Sequence, residues 1–246
     1  MKSGKKLFSY ESIAAEYASK VDSAPYNALY ERPAMLSLLP DVRGEIILDA
    51  GCGSGWYAER MVERGARVDA IDASPSMIAH ARDRLERTAW ATSDRFSLQV
   101  ADLAEGIPFE DDRFAGALSA LVLHYLEDWR PALREIRRVL RPGGWLLIST
   151  HHPSADAAHF STSDYFRTEH VTDHWDWVGD VQFYRRSLTE IFSSLRDASL
   201  VIDTVAEPEP TPEFKAAEPV SGERLMRQPE FLMILARKPG PGAENA

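Results

Sequence analysis

The chain has 246 residues, 44% of them hydrophobic, and a formal net charge of −10 at pH 7. This composition suits one globular α/β domain, and the acidic charge disfavours a nucleic-acid partner because phosphate backbones are bound by cationic side chains. The single cysteine, Cys52, excludes an internal disulfide, and no apolar run is as long as a membrane span. We therefore expect a cytoplasmic protein, monomeric or homodimeric, with no membrane contact.

Residues 1–40 are predicted to form a helical cap ahead of a sheet. Apolar residues recur at helical spacing over residues 11–20 and 27–39, and a short segment with a proline interrupts the pattern. Tyr17 lies on the apolar face of the first helix. It either packs against the core there or reaches a ligand.

A strand, a glycine-rich loop and a helix follow one another directly after this cap. Residues 46–48 form an apolar run that is typical of a strand buried on both faces. Three glycines at alternate positions come next, Gly51, Gly53 and Gly55, and a helix is predicted from residue 56. Glycines let the backbone turn tightly and bring its N–H groups close to a ligand. This arrangement predicts a nucleotide-binding site.

The spacing of these glycines distinguishes two classes of nucleotide. A dinucleotide fingerprint requires G-x-G-x-x-G, but Trp56 stands where the third glycine would fall. The observed pattern, D-x-G-x-G-x-G, resembles the first motif of the class I S-adenosylmethionine-dependent methyltransferases. The acidic residue of the pattern, Asp49, agrees with this resemblance, because a carboxylate attracts the ammonium group of that cofactor and repels a pyrophosphate.

Two further strand ends carry acidic residues. The predicted strand at 68–71 ends at Asp72, about 20 residues beyond the glycine loop, where α/β nucleotide sites place the carboxylate that accepts from ribose hydroxyls. Ser74 and Pro75 then open a helix, as an N-cap and a first-turn proline do. The third strand, residues 96–100, is followed by Asp102.

The resemblance to the methyltransferases extends over four motifs in the family's order, within residues 46–150. It implies that Met77 lies against the adenine ring, although an apolar residue at that spacing equally suits the core. It also implies that Asp102 takes the adenine amino group and that the next backbone N–H meets a ring nitrogen. The implied cofactor contacts are Tyr17, Asp49, Gly51, Cys52, Gly53, Gly55, Asp72, Ala73, Met77, Asp102, Leu103, Ser119 and His124.

The fold implied is α/β and doubly wound, with a Rossmann-like seven-stranded, mostly parallel sheet. By resemblance the strand order is 3-2-1-4-5-7-6 and the last strand is antiparallel. The later strands are predicted at 114–119, 145–150, 200–205 and 231–236, with helices at 128–140 and 187–198. We divide the chain into a cap (1–40), a cofactor-binding core (41–150), a lid insertion (151–186), and a C-terminal helix with the last two strands (187–240).

The predicted lid, residues 151–186, departs from the alternation of strands and helices. It holds five of the seven histidines and many aromatic residues. An insertion after the fifth strand leaves from the carboxyl edge of the sheet, where ligands of α/β folds bind. We expect the lid to cover a small apolar or aromatic substrate. We expect no metal site, because the histidines do not form a complete ligand set.

Methyl transfer from a sulfonium ion is an in-line displacement, for which positioning supplies most of the rate gain. A base is needed only if the nucleophile arrives protonated. His124, after the fourth strand, and His151 and His152, after the fifth, are candidates because imidazole titrates near neutral pH. His124 could instead pack near the cofactor.

Three functions remain open at this point. The first is a methyltransferase that uses S-adenosylmethionine to methylate O, N or C of a small molecule. The second is a protein that binds this cofactor without transferring the methyl group. The third is an NAD(P)-dependent oxidoreductase, which the spacing of the glycines disfavours.

Overall fold

One seven-stranded sheet runs through the centre of the molecule. The computed structural model describes residues 14–89, 94–240 and 242, so residues 1–13 of the predicted cap lie outside it. The strands are β1 (Ile46–Ala50), β2 (Arg67–Asp72), β3 (Phe96–Val100), β4 (Phe114–Ala120), β5 (Leu140–His151), β6 (Glu169–Trp175), β7 (Gly179–Arg185), β8 (Val201–Ala206) and β9 (Phe231–Arg237). The sheet order is β3-β2-β1-β4-β5-β9-β8, and only β9 runs antiparallel to its neighbours. The predicted topology is confirmed, with β6 and β7 inserted as a separate antiparallel hairpin.

Helices cover both faces of this sheet. They are α1 (Ala14–Lys20), α2 (Arg32–Leu38), α3 (Trp56–Glu63), α4 (Pro75–Glu86), α5 (Arg130–Val139), α6 (Pro153–His159), α7 (Leu188–Asp197), α8 (Pro212–Ala217) and α9 (Pro219–Leu225), with a π-helical turn at Tyr26–Glu31 and a 3₁₀ turn at Leu123–Tyr125. None of these helices in the described part of the chain is long and apolar enough to cross a bilayer.

The two faces of the sheet bury separate apolar layers. Ile47 of β1 packs on the face covered by α3, in one cluster with Met61. The next residue, Leu48, points to the opposite face and joins Leu133 of α5. Strands buried on both faces read as continuous apolar runs, which is why β1, β4 and β9 were recognisable in the sequence.

Several boundaries differ from the sequence prediction. The single helix expected at 27–39 is a π-helical turn followed by α2. Strand β5 begins at Leu140, five residues before the predicted start at 145. The hairpin β6–β7 and the helices α8 and α9 were not predicted.

The proline-rich sequence at 207–212 predicts neither helix nor strand, but α8 begins at its end. Thr211 caps that helix by accepting a hydrogen bond from the N–H of Phe214, and Pro212 occupies the first turn, where no N–H is needed. The interpretation overlooked this positional tolerance for proline.

Helices α8 and α9 hold the N-terminal cap in place. Thr211 Oγ1 donates to the carbonyl of Leu29 at 2.7 Å, and the ring of Phe214 packs on those of Tyr26 and Tyr30 at centroid distances of 5.2 and 5.6 Å. Arg224 donates to the hydroxyl of Tyr26 at 2.9 Å. The cap therefore depends on residues about 200 positions further along the chain.

The close packing of β4 on β5 generates a first prediction. A Cβ on Gly116 would lie 2.0 Å from Cε2 of Trp145, whose ring is buried. We expect Gly116→Ala to lower the free energy of unfolding by about 1–3 kcal/mol, since extra atoms in a packed core force side chains off their preferred rotamers. Urea unfolding followed by circular dichroism measures the change.

Gly240→Ala is the matched control, because a Cβ there would meet nothing within 4 Å. Its unfolding midpoint should stay at the wild-type value. Equal midpoints for all three proteins would contradict the packing described for Gly116.

Candidate active site

The loop after β1 takes a shape that suits glycine. Gly51, Gly53 and Gly55 have positive φ angles of 87°, 52° and 81°. A Cβ on Gly51 would lie 2.4 Å from a methyl carbon of Val122, and one on Gly55 would lie 2.9 Å from Cβ of Ala81. A Cβ on Gly53 would meet nothing within 4 Å. Packing therefore requires two of the glycines, and the third leaves its backbone accessible.

A cavity of about 280 Å³ lies over this loop. Its walls come from the N-terminal helices and from the segments that follow β1, β2, β3 and β4, so it lies at the carboxyl edge of the sheet, where α/β folds bind ligands. Nine of the thirteen residues predicted to contact the cofactor line it: Tyr17, Gly51, Cys52, Gly53, Asp72, Ala73, Met77, Asp102 and Leu103. The other four, Asp49, Gly55, Ser119 and His124, are buried outside its lining.

Asp72 connects the glycine loop to the helix after β2. Its Oδ2 accepts from the N–H of Gly53 and its Oδ1 from the N–H of Ser74, both at 2.9 Å. A carboxylate offers about four acceptor sites, so capacity remains for a ligand hydroxyl in the cavity. The backbone N–H groups of Gly51 and Cys52 both donate to the carbonyl of Ile71, which fixes the loop against β2.

Asp49 is a buried carboxyl group directly behind the glycine loop. The residue is 1% exposed and accepts a hydrogen bond from the N–H of Ala58 near the start of α3. Its Oδ2 has no hydrogen-bond partner among the described residues. Burial, with a smaller contribution from the charge of Asp72, raises the pKa of Asp49 to about 7. Such a group favours a positively charged neighbour.

Glu31 is a second buried acid, and sequence reasoning missed it. It lines the cavity, and its carboxylate accepts from the hydroxyl of Tyr57 at 2.7 Å and from Oγ of Ser149 at 2.5 Å. Burial raises its pKa. The next residue, Arg32, also lines the cavity, pairs with Asp22 at 3.0 Å and stacks over the ring of Trp56. No motif marked either residue; only their place in a helix before the sheet could have suggested them.

His124 and His151 stack on each other under the hairpin. Their ring centroids are 4.3 Å apart with an interplanar angle of 19°. Neither ring nitrogen of His124 has a partner among the described residues, and burial holds its pKa well below the usual value. Burial also lowers the pKa of His151 to about 4. Both rings are therefore neutral at pH 7.

His152, the third candidate base, has a structural role. It caps α6 by accepting at Nδ1 from the N–H of Ser154, and its Nε2 lies 2.8 Å from Oε1 of Glu207. Both ring nitrogens are thus engaged away from the cavity.

Two other predicted contacts also have structural positions. Gly55 caps α3, and Oγ of Ser119 is buried in β4. No group of three or more metal-binding side chains occurs in residues 14–89 and 94–240.

The hairpin β6–β7 closes over the entrance side of the site. The ring of Trp177, at its turn, stacks on Tyr17 of the cavity wall at a centroid distance of 5.4 Å. Nζ of Lys20 donates to the carbonyl of Trp177 at 3.0 Å. Phe183 of β7 packs edge-on against His124 and His151. These side chains, with Trp177 and Tyr17, form a packed aromatic cluster beside the cavity, called the aromatic compartment below.

Known proteins share both this fold and these motifs. The family model described as "Methyltransferase domain" matches residues 48–148. A solved structure from Listeria monocytogenes, assigned to the S-adenosylmethionine-dependent methyltransferases, is 29% identical; it covers 85% of this chain and 96% of its own, with a TM-score of 0.72. The structure of an S-adenosylmethionine-dependent methyltransferase from Mesorhizobium loti is 26% identical. The match covers 88% of this chain and 99% of that one, with a TM-score of 0.68. These similarities identify the chain as an S-adenosylmethionine-dependent methyltransferase.

A relative with a stated acceptor matches only part of this methyltransferase. The malonyl-[acyl-carrier protein] O-methyltransferase of Erwinia pyrifoliae is 34% identical over 143 residues, which are 57% of this chain and 51% of that protein. This chain thus spans about half the length of that relative.

The cavity of this methyltransferase fits S-adenosylmethionine, the cofactor of the family. The open side of Gly53 forms a cradle that a side chain would fill, and the orphaned Oδ2 of Asp49 suits a cationic ligand. Acidic groups at three strand ends suit a nucleoside that carries an ammonium and repel a pyrophosphate.

The raised pKa of Asp49 generates a second prediction. The folded-state value of about 7 exceeds the unfolded value of about 3.9, so ionising this group opposes folding and stability is lost as the pH rises toward 7. Asp49→Asn removes that loss. We expect the stability of the variant relative to the wild type to increase by roughly 2 kcal/mol between pH 5.5 and pH 8.5, because the wild-type carboxyl ionises over that range.

Urea unfolding at the two pH values, without ligand, measures this change in stability. Calorimetry should also show that Asp49→Asn binds S-adenosylmethionine more weakly than the wild type does. Asp83→Asn is the control, since Asp83 is exposed on α4. A stability difference for Asp49→Asn that does not vary with pH would contradict the assignment.

Proposed function

We propose that this methyltransferase methylates a small apolar or aromatic molecule by in-line displacement. The observation that carries the proposal is the juxtaposition of the cavity, walled by predicted cofactor contacts, with an aromatic compartment under the hairpin. A small organic acceptor suits such a compartment, because ligand sites are mostly apolar with few polar groups.

We assign the cofactor contacts from the placement of the residues. Met77, Asp102 and Leu103 would hold the adenine, and Asp72 the ribose hydroxyls. Asp49 would face the ammonium group through its free oxygen. Arg32, an arginine of the cavity lining, would pair with the cofactor carboxylate.

The bound cofactor supplies the electrophilic methyl group, and the protein supplies position and exclusion of water. The stack of Trp177 on Tyr17 would keep water from the compartment when an acceptor is present. His124 would accept the proton of an acceptor that arrives protonated, because its ring is neutral and neither nitrogen is engaged. His151, stacked on it, is the second candidate, while His152 is engaged elsewhere.

Incubation with S-adenosylmethionine labelled in the methyl group tests the proposal. A panel of phenols, amines, carboxylic acids and carbon acids is the acceptor set, and a labelled product should form with at least one of them. Asp72→Ala should abolish labelling because the glycine loop loses its anchor. Asp203→Ala is its control, since Asp203 lies on the exposed strand β8.

Two other outcomes would overturn the proposal. Tight cofactor binding with no labelled product across the panel would favour a protein that binds the cofactor without transferring its methyl group. Tight binding of NADH with no binding of S-adenosylmethionine would favour an oxidoreductase.

The role of His124 has its own test. With an acceptor that loses a proton, we expect His124→Asn to lower kcat by about 10²-fold or more, because general base catalysis typically contributes that much. His152→Ala should leave kcat unchanged and reduce stability by about 1 kcal/mol through loss of the cap. Single-turnover rates at several pH values provide the measurement.

Unchanged turnover of His124→Asn would remove this residue from the catalytic set. Cofactor binding, measured by calorimetry on the same samples, separates lost catalysis from lost folding.

A further inference from the structure

Arg186 is a buried cation without a counter-ion. The residue follows β7, is 4% exposed, and stacks its guanidinium on the ring of Trp129 at 4.7 Å. Its Nη2 donates to the carbonyl of Leu126. Within the described residues, Nε and Nη1 have no hydrogen-bond partner. A buried charge of this kind destabilises a fold unless something pairs with it.

The nearby carboxylates do not neutralise Arg186. Asp128 and Glu190 act on it only at a distance, because both form ion pairs with Arg130, at 3.1 and 2.7 Å. The third, Asp156, is itself buried, and its pKa is raised to about 7, mainly by burial.

The preceding arginine differs from Arg186 in having an acidic partner. Arg185 is 1% exposed, but its guanidinium pairs with the carboxylate of Glu169 and also donates to the hydroxyl of Thr162. It holds the two ends of the hairpin together. Arg186 is the next residue along the chain, but it forms no ion pair with an acidic side chain among the described residues.

The position of Arg186 connects it with the reaction site. Its charge contributes to the lowered pKa of His124, so the two groups are close. The carbonyl it holds belongs to Leu126, which lines the cofactor cavity together with Tyr125. Arg186 therefore contacts a segment that forms part of the cavity wall.

We propose that Arg186 binds a carboxylate carried by the methyl acceptor, which is an apolar or aromatic carboxylic acid. This inference rests on the proposed function and names the class of its substrate. One unpaired guanidinium matches one negative charge, and the aromatic walls match the remainder of such a molecule. Nε and Nη1 are enclosed, so this binding requires the hairpin to move away from them. The carboxylate then accepts hydrogen bonds from these two N–H groups, which have no partner among the described residues.

Calorimetric titration with small acids tests this proposal. The probes are formate, acetate, benzoate and 4-hydroxybenzoate, each beside its uncharged amide, at constant ionic strength, with and without S-adenosylhomocysteine. We expect at least one acid to bind tenfold or more tightly than its amide, as charge-assisted hydrogen bonds require. Arg186→Met should abolish that preference and raise the melting temperature of the unliganded protein.

Arg167→Met is the matched control, because it removes the same charge from an exposed position of the same segment. It should keep the preference for acids. Arg186→Lys preserves the charge but loses N–H groups, so it should keep part of the preference for acids. This variant replaces Arg186→Met in the test if the methionine variant fails to fold.

The proposal is wrong if no acid binds more tightly than its amide, or if Arg186→Met keeps the preference. It is also wrong if that variant folds and melts at a lower temperature than the wild type, since the arginine would then be structural. Binding of S-adenosylhomocysteine is recorded in the same titrations. If S-adenosylhomocysteine binds but no acid is preferred to its amide, only this inference is overturned. If S-adenosylhomocysteine does not bind, the proposed function is overturned.

Discussion

The attachment of the glycine loop to the neighbouring strand is the constraint on which the site depends. One carbonyl, that of Ile71, accepts from two successive N–H groups of the loop, and the carboxylate of Asp72 accepts from a third at Gly53. The same carboxylate holds the N–H of Ser74 at the start of α4. Two strand ends and two helices are thereby fixed relative to one another before any ligand binds. Such preorganisation reduces the entropy that binding must overcome.

The site contains buried acidic side chains and one buried arginine whose charged forms are unfavourable in the folded protein. Asp49 keeps an unpartnered oxygen, Arg186 keeps unpartnered N–H groups, and Glu31 is enclosed with only two hydroxyl donors. None of these arrangements serves folding alone. Proteins retain such features where a ligand later satisfies them, which is why stability and activity oppose each other at binding sites.

Local patterns predicted the sheet and nine of the residues that line the cavity. The first two strands, the loop glycines and Asp72 are close in the chain, so their geometry follows from short-range rules. Contacts between distant residues were not predictable. The bond between Glu31 and Ser149 joins positions 118 apart, and the unpaired state of Arg186 depends on which residue Arg130 takes as partner. Asp49 was recognised as acidic, but its burial behind the loop was not.

The dependence of the N-terminal cap on α8 and α9 has a consequence for biosynthesis. Residues of the π-helical turn, including Asn27 and Glu31, form part of the cavity wall, yet Thr211, Phe214 and Arg224 hold that turn in place. Until residues 211–224 have been synthesised, the early helices lack the surface on which they dock. The wall of the cavity that these helices supply is therefore completed late in synthesis, after the strands of the glycine loop and its neighbours.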